Sequence, residues 1–191
     1  MERAQRILLQ PNQEWYVIQQ EPTLPAQLYT GYIIPLSAIG LIASIIGLSI
    51  FSYGLYSLPI PFVIITRLVL FILGLGGIYV TALVIDALAP NFSGQKNIYQ
   101  ALKLVAYCHT PFWLGQVFNI IPLLGILGFL IGLYSFYLLY LGVPIMMQVP
   151  QDKAVGYIVV AIVVMIVIYF IIFAIVGAIT APFLVGRIMI R

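Results

Sequence analysis

An all-α, polytopic bundle of five transmembrane helices, with a short amphipathic interfacial helix at its N-terminus, is the fold class this sequence predicts. Apolar residues run almost unbroken from Leu28 to Ile190. Only 7% of the 191 residues are charged, at a mean hydropathy of +1.15, where soluble domains carry about 25% charged residues. A span takes about 20 apolar residues, so the chain has room for several spans and little else. Each span is expected to be a helix because unpaired backbone groups are too costly in lipid. The division is therefore a tail over 1–27 and a membrane unit over 28–191, with the lipid bilayer as the first partner.

The tail carries Glu2, Arg3, Arg6, Glu14 and Glu21 and no apolar run long enough for a signal peptide, so insertion is assigned to the first span. Within it, Pro11 suits the first turn of a helix, and Trp15 and Ile18 fall on one face of PNQEWYVIQQ. Tryptophan favours the headgroup level, where its ring is dry and its N–H wet. Trp15 and Ile18 are thus candidate membrane-interface anchors, the alternative being a surface helix docked on the cytoplasmic end of the bundle.

Clusters of Pro, Gly and polar residues at 53–61, 89–100, 119–122 and 148–153 divide the apolar stretch. The spans expected are Leu28 to Ser52, Pro61 to Leu88, Ala101 to Ile121, Leu123 to Met147 and Ala154 to Pro182. Lys103, His109, Gln116 and Asn119 dilute the third, which leaves a four-span bundle as the alternative. With five spans, Arg3, Arg6, Lys96, Lys103 and Lys153 share the N-terminal side, whereas Arg67, Arg187 and Arg191 fall on the other. The excess of basic residues places the N-terminus in the cytoplasm.

Two units of the form Tyr-x-x-x-Pro stand inside the spans. Pro111 deprives the Tyr107 carbonyl of its helical N–H partner, and Pro144 does the same to Tyr140. The short connection at 119–122 makes the third and fourth spans antiparallel neighbours. A polar cavity open to the cytoplasm is one reading, built from Tyr107, His109, Thr110, Pro111, Tyr137, Tyr140 and Pro144. Packing kinks re-satisfied by Thr110 or by water are the other. His109, the only histidine, is a functional candidate because ionisable groups within spans are expensive, the plainer alternative being a neutral ring hydrogen-bonded across the bundle. Asp86 sits badly at the negative end of its helix, so an ion pair or cation site with Lys96 and Lys103 is expected. Small residues four apart, as at Gly40 and Ser44, Ala43 and Gly47, or Gly128 and Gly132, permit close helix contact within the bundle or between copies.

No catalytic set, cofactor loop or metal-ligand pattern accompanies these residues: HExxH, paired cysteines and a phosphate-binding glycine loop are all missing from the sequence. Cys108 stands alone. A net charge of +3 without a basic stripe speaks against nucleic acid.

The segments ILLQPNQEWYVIQQEP, LYTGYIIPLSAIG, ALKLVAYCHTPFWL and YSFYLLYLGVPIMM resemble the bacterial branch of the Yip family, five-pass membrane proteins named for interaction with Ypt/Rab GTPases in eukaryotes. AYCHTPF carries the likeness through Tyr107, Thr110 and Pro111, and YLLYLGVP through Tyr137, Tyr140, Gly142 and Pro144. The resemblance implies a five-helix bundle with a cytoplasmic N-terminus in a bacterial inner membrane. The function expected is non-enzymatic: membrane organisation, or recruitment of a protein partner at the cytoplasmic face. A small permease or channel between the third and fourth spans is the alternative.

Overall fold

Uniformly apolar sequence must satisfy its backbone internally, and the chain is helical almost throughout. A computed structural model describes residues 2–55 and 59–189, with side chains except at 52–55, 122 and 182–189. Arg191, the side chain of Arg187 and residues 56–58 of the first break lie outside the described residues.

Helices α1 (Glu2–Leu9) and α2 (Pro11–Gln20) form the N-terminal segment. Each hides one face: Ala4 and Ile7 in α1, and Pro11, Glu14, Trp15 and Ile18 in α2. The first membrane segment is continuous through α3 (Pro25–Leu28), a π-helical stretch (Tyr29–Ile33) and α4 (Ile34–Leu55). Helix α5 (Ile60–Leu88) follows and ends in a 3₁₀ turn (Ala89–Phe92). In the next loop, Ser93 takes a left-handed conformation, and Gln95 donates to the Met147 carbonyl at 2.9 Å. That bond fastens this loop to the one between the last two membrane helices.

Helix α6 (Ile98–Cys108) is capped by Asn97, whose side chain accepts from the N–H groups of Tyr99 and Gln100 at 3.1 Å each. The third segment, expected as one helix over 101–121, is instead broken at His109. Pro111 cannot donate to Tyr107, so the helix restarts as α7 (Thr110–Gly115) with proline in its first turn. Two 3₁₀ turns (Gln116–Ile120 and Pro122–Leu124) lead into α8 (Gly125–Gly132), and α9 (Tyr134–Met146) follows after a step at Leu133. Helix α10 (Gln151–Met189) closes the bundle.

Four of these segments are long and apolar enough to cross a membrane: Pro25–Phe51, Ile60–Phe92, Gly125–Met146 and Gln151–Ala181. Helices α7 and α8 form the hairpin that lets the broken segment return. Gly115 and Gly128 face each other there, so that a Cβ on either would collide with the other's carbonyl. Gly40 and Gly47 face Gln116 and Asn119, so small residues on the first segment serve packing within the bundle.

Candidate functional site

The core gathers where α2, α6 and α9 meet. Trp15 and Ile18 are wholly buried, pointing into the protein and leaving the outer face of α2 to Tyr16 and Val17. The Trp15 indole lies over Gly142 of α9, where even a Cβ would come within 2.8 Å of it. Its ring meets Tyr107 edge-on at 6.5 Å between centroids. Only a residue without a side chain leaves room for that seat.

Polar contacts tie α2 to α1, α6 and α9. Lys103 is 3% exposed and donates to the carbonyls of Ile18 at 2.6 Å and Glu21 at 3.0 Å. A cation on the last carbonyls of a helix satisfies orphan acceptors and the dipole together. Gln19 Nε2 donates to Ile145 at 2.6 Å and Gln100 Nε2 to Gln19 at 2.8 Å. Arg3 bridges Glu14 and, at 2.5 Å, Glu21. Burial works against the Arg3 charge, yet the Glu14 hydrogen bond and the Glu21 charge outweigh it and hold the guanidinium above its ordinary pKa. The four-residue stripe Pro11, Glu14, Trp15 and Ile18 repeats at i, i+3, i+4 and i+7. That stripe was the available signal that Glu14 turns inward.

Asp86, Lys96 and Lys103 are not brought into an ion pair, which corrects the expectation. Lys103 is held by α2 carbonyls, Lys96 is exposed, and Asp86 Oδ1 is buried without a hydrogen-bond partner.

The expected cavity is divided among three places. Tyr107 and Thr110 belong to the packed core. Thr110 Oγ1 donates to the Tyr107 carbonyl at 2.7 Å and meets Tyr32 Oη at 2.6 Å. The carbonyl released by Pro111 is thereby satisfied inside the bundle, the second of the two expected outcomes. The Tyr32 and Tyr107 rings meet at a tilt of 58°, with centroids 4.6 Å apart.

Tyr140 and Pro144 lie elsewhere. Together with Asn12, Tyr16, Gln19 and Gln148 they line a neutral groove of about 560 Å³ between α2 and α9. Tyr137 is exposed and its ring meets that of Tyr134 at a tilt, 5.3 Å between centroids. The outward register follows from the inner face of α9, which is Leu138, Leu139, Gly142, Val143 and Met146.

His109 faces a second cavity of about 580 Å³, within the bundle. Its Nδ1 lies 2.7 Å from the Val105 carbonyl and its Nε2 2.9 Å from Tyr169 Oη. A carbonyl only accepts, so Nδ1 carries the proton, and Tyr169 donates to Nε2: both nitrogens are satisfied in the neutral ring. Ser44, Arg67, Gln116 and Asn119 also line this space, among mostly apolar walls. Tyr169 carries no local sequence signal as a member of this site, because it stands 60 residues from His109.

With this geometry in place, comparison with known proteins fixes the family. The Yip1 domain matches residues 6–175, most of the chain. The chain belongs to the Yip1 domain family. Among curated proteins it is similar to the "Inner membrane protein YohC" of Escherichia coli strain K12, and to the protein of that name from Escherichia coli O6:H1. Each is 25% identical over 155 residues, covering 77% of this chain and 80% of the relative. No solved structure matches. The match takes in α2, the α6–α7 break and α9.

Proposed function

We propose that this chain is a non-enzymatic protein of a bacterial inner membrane that organises lipid or recruits a partner at its cytoplasmic face, through the docked cap formed by α1 and α2. In this reading the N-terminus is cytoplasmic, and the broken segment from Ile98 to Ile120 makes the fifth crossing. The observation that carries it is the seating of α2. A tail bound by Trp15 on Gly142 and by Lys103 on its last carbonyls is a fixed surface, not a tether. That surface presents Leu9, Tyr16, Val17 and Leu24 outward, at 80%, 57%, 44% and 62% exposure. Apolar side chains set among Glu2, Arg6 and Gln13 suit the boundary between headgroups and acyl chains. The adjoining groove of amides and tyrosines suits the backbone of a partner segment, since it offers hydrogen bonds without charge.

The test uses the full chain in vesicles of phosphatidylethanolamine and phosphatidylglycerol. In a Cys108→Ala background, a fluorophore at Val17→Cys is expected near the headgroup level, with quenching strongest from lipids brominated at the shallowest depth. The triple variant Leu9→Glu, Val17→Glu and Leu24→Glu should keep the fold while losing the wild-type effect on acyl-chain order. A probe quenched at no depth, or a triple variant that orders lipid as the wild type does, would overturn the lipid reading.

A further inference from the structure

The cavity inside the bundle holds a cation with no counter-ion among the described residues. Among the described residues, the basic side chains of the four membrane-length helices are Arg67 and Lys153. Lys153 stands in the first turn of α10 and donates to Ser93 Oγ at 2.7 Å. Arg67 stands seven residues inside α5, about 10 Å from its start, and no hydrogen bond or ion pair holds it among the described residues. The side-chain carboxylates are Glu2, Glu14, Glu21, Asp86 and Asp152. The first three pair with Arg6 and Arg3. Asp86 shares α5 with Arg67 but lies nineteen residues along it, about 28 Å at a 1.5 Å rise. Asp152 opens α10 beside the cap end. An unpaired charge at membrane depth is expensive, and no carboxylate among the described residues pairs with this one, so an anion brought by a ligand would complete the site.

The walls say what kind of molecule brings it. From Arg67, the cavity-facing residues of α5 continue as Leu70, Phe71, Gly74 and Ile78, at i+3, i+4, i+7 and i+11. Across from them stand Phe136 and Phe173. Gln116 and Asn119 add neutral amide donors to the lining. A volume near 580 Å³ falls within the range of ligand sites, which are mostly apolar with a few polar groups that fix orientation. One cation with amides, continued by an apolar channel, is complementary to an amphiphile. A free anion would leave the apolar walls without a partner, and a lipid without a phosphate, such as a diacylglycerol, would leave Arg67 without one.

We infer that the cavity binds a phospholipid, its phosphate at Arg67 and one acyl chain along the α5 face from Leu70 to Ile78. This site is separate from the cap surface, and its test is independent of that reading.

The full chain in neutral detergent is titrated with phosphatidylglycerol or diacylglycerol of identical chains, and retained lipid is counted by native mass spectrometry. Wild type is expected to prefer phosphatidylglycerol by at least about tenfold, the scale of a charge-assisted hydrogen bond. Arg67→Met should abolish that preference and Arg67→Lys keep part of it. Gly74→Leu grows into open space, since nothing lies within 4 Å of a Cβ there. It leaves the charge untouched and should lower phosphatidylglycerol retention by narrowing the chain's path. Glycerol phosphate, the head alone, should not displace the lipid. Equal retention of the two lipids by wild type overturns the assignment, as does an unchanged preference in Arg67→Met or full displacement by glycerol phosphate. Should Arg67→Met fail to fold, the wild-type preference and Gly74→Leu still decide it.

Discussion

Replacing Gly142 by Leu tests how the cap is held to the bundle. A Cβ at this position lies 2.8 Å from Trp15 Cε2 and Cζ2 and 2.6 Å from Leu104 Cδ1, inside any real Cβ contact. Neither neighbour has room to yield, since both are wholly buried. Leucine adds more atoms to that filled space, and overpacking of this kind costs about 1–3 kcal/mol. Trp15→Ala does the opposite, emptying the seat at a cost of about 3–5 kcal/mol. Combined in one chain, the leucine grows into the volume the indole vacates. The double variant should therefore lose less than the sum of the single losses, by about 0.5–3 kcal/mol, the range of coupling between residues in contact.

Hydrogen exchange of the full chain in lipid nanodiscs measures this directly, because the amides of α2 report local opening while those of α5 report the bundle. Exchange in α2 is expected to quicken in each single variant, with α5 unchanged, and to slow partway back in the double variant. Strictly additive losses would refute the seat of Trp15 on Gly142. So would a Gly142→Leu chain whose α2 amides exchange at the wild-type rate.

Two further substitutions probe the interior. Thr110→Val removes the hydroxyl that donates to the carbonyl freed by Pro111 and that meets Tyr32. It should cost about 1–3 kcal/mol in thermal unfolding, as a buried acceptor left unpaired does, and Thr110→Ser should recover most of it. Asp86→Asn should leave the unfolding temperature unchanged or raised, because Oδ1 is buried without a partner and no lysine pairs with it; a loss beyond about 1 kcal/mol would restore the ion pair.

The membrane segments of α4, α5 and α10 were legible because length and hydropathy alone define a span. The faces of those helices were not. An amphipathic stripe reveals which side turns inward, and a helix that is apolar all round carries no such stripe. In α9, Tyr137 and Tyr140 stand outside the inward row Leu138, Gly142, Val143 and Met146, and composition distinguishes none of these positions. The kink at Pro111 was legible from covalent chemistry, and Thr110 as its remedy was one of the two readings the sequence allowed. Lys103 shows the limit of charge counting. Its nearest opposite charge along the chain was taken as its partner, whereas helix-end carbonyls more than eighty residues away hold it.

The same placement bears on transport. A permeation path between the third and fourth segments would have to join the inner cavity beside His109 to the groove beside Tyr140. These two spaces share no lining residue. Alternate positions along the helices explain the separation. Val105, Cys108 and His109 face the inner cavity, while Leu104 and Tyr107 on the same turns pack against Trp15 and Tyr32. On α9, Leu141 and Pro144 line the groove, and Gly142 between them is covered by the indole. Opening a path therefore means lifting Trp15 from its seat, at the cost of several kcal/mol that its burial implies. In the proposed reading, a fixed cap and two spaces with no shared lining suit holding a lipid or a partner over passing a solute.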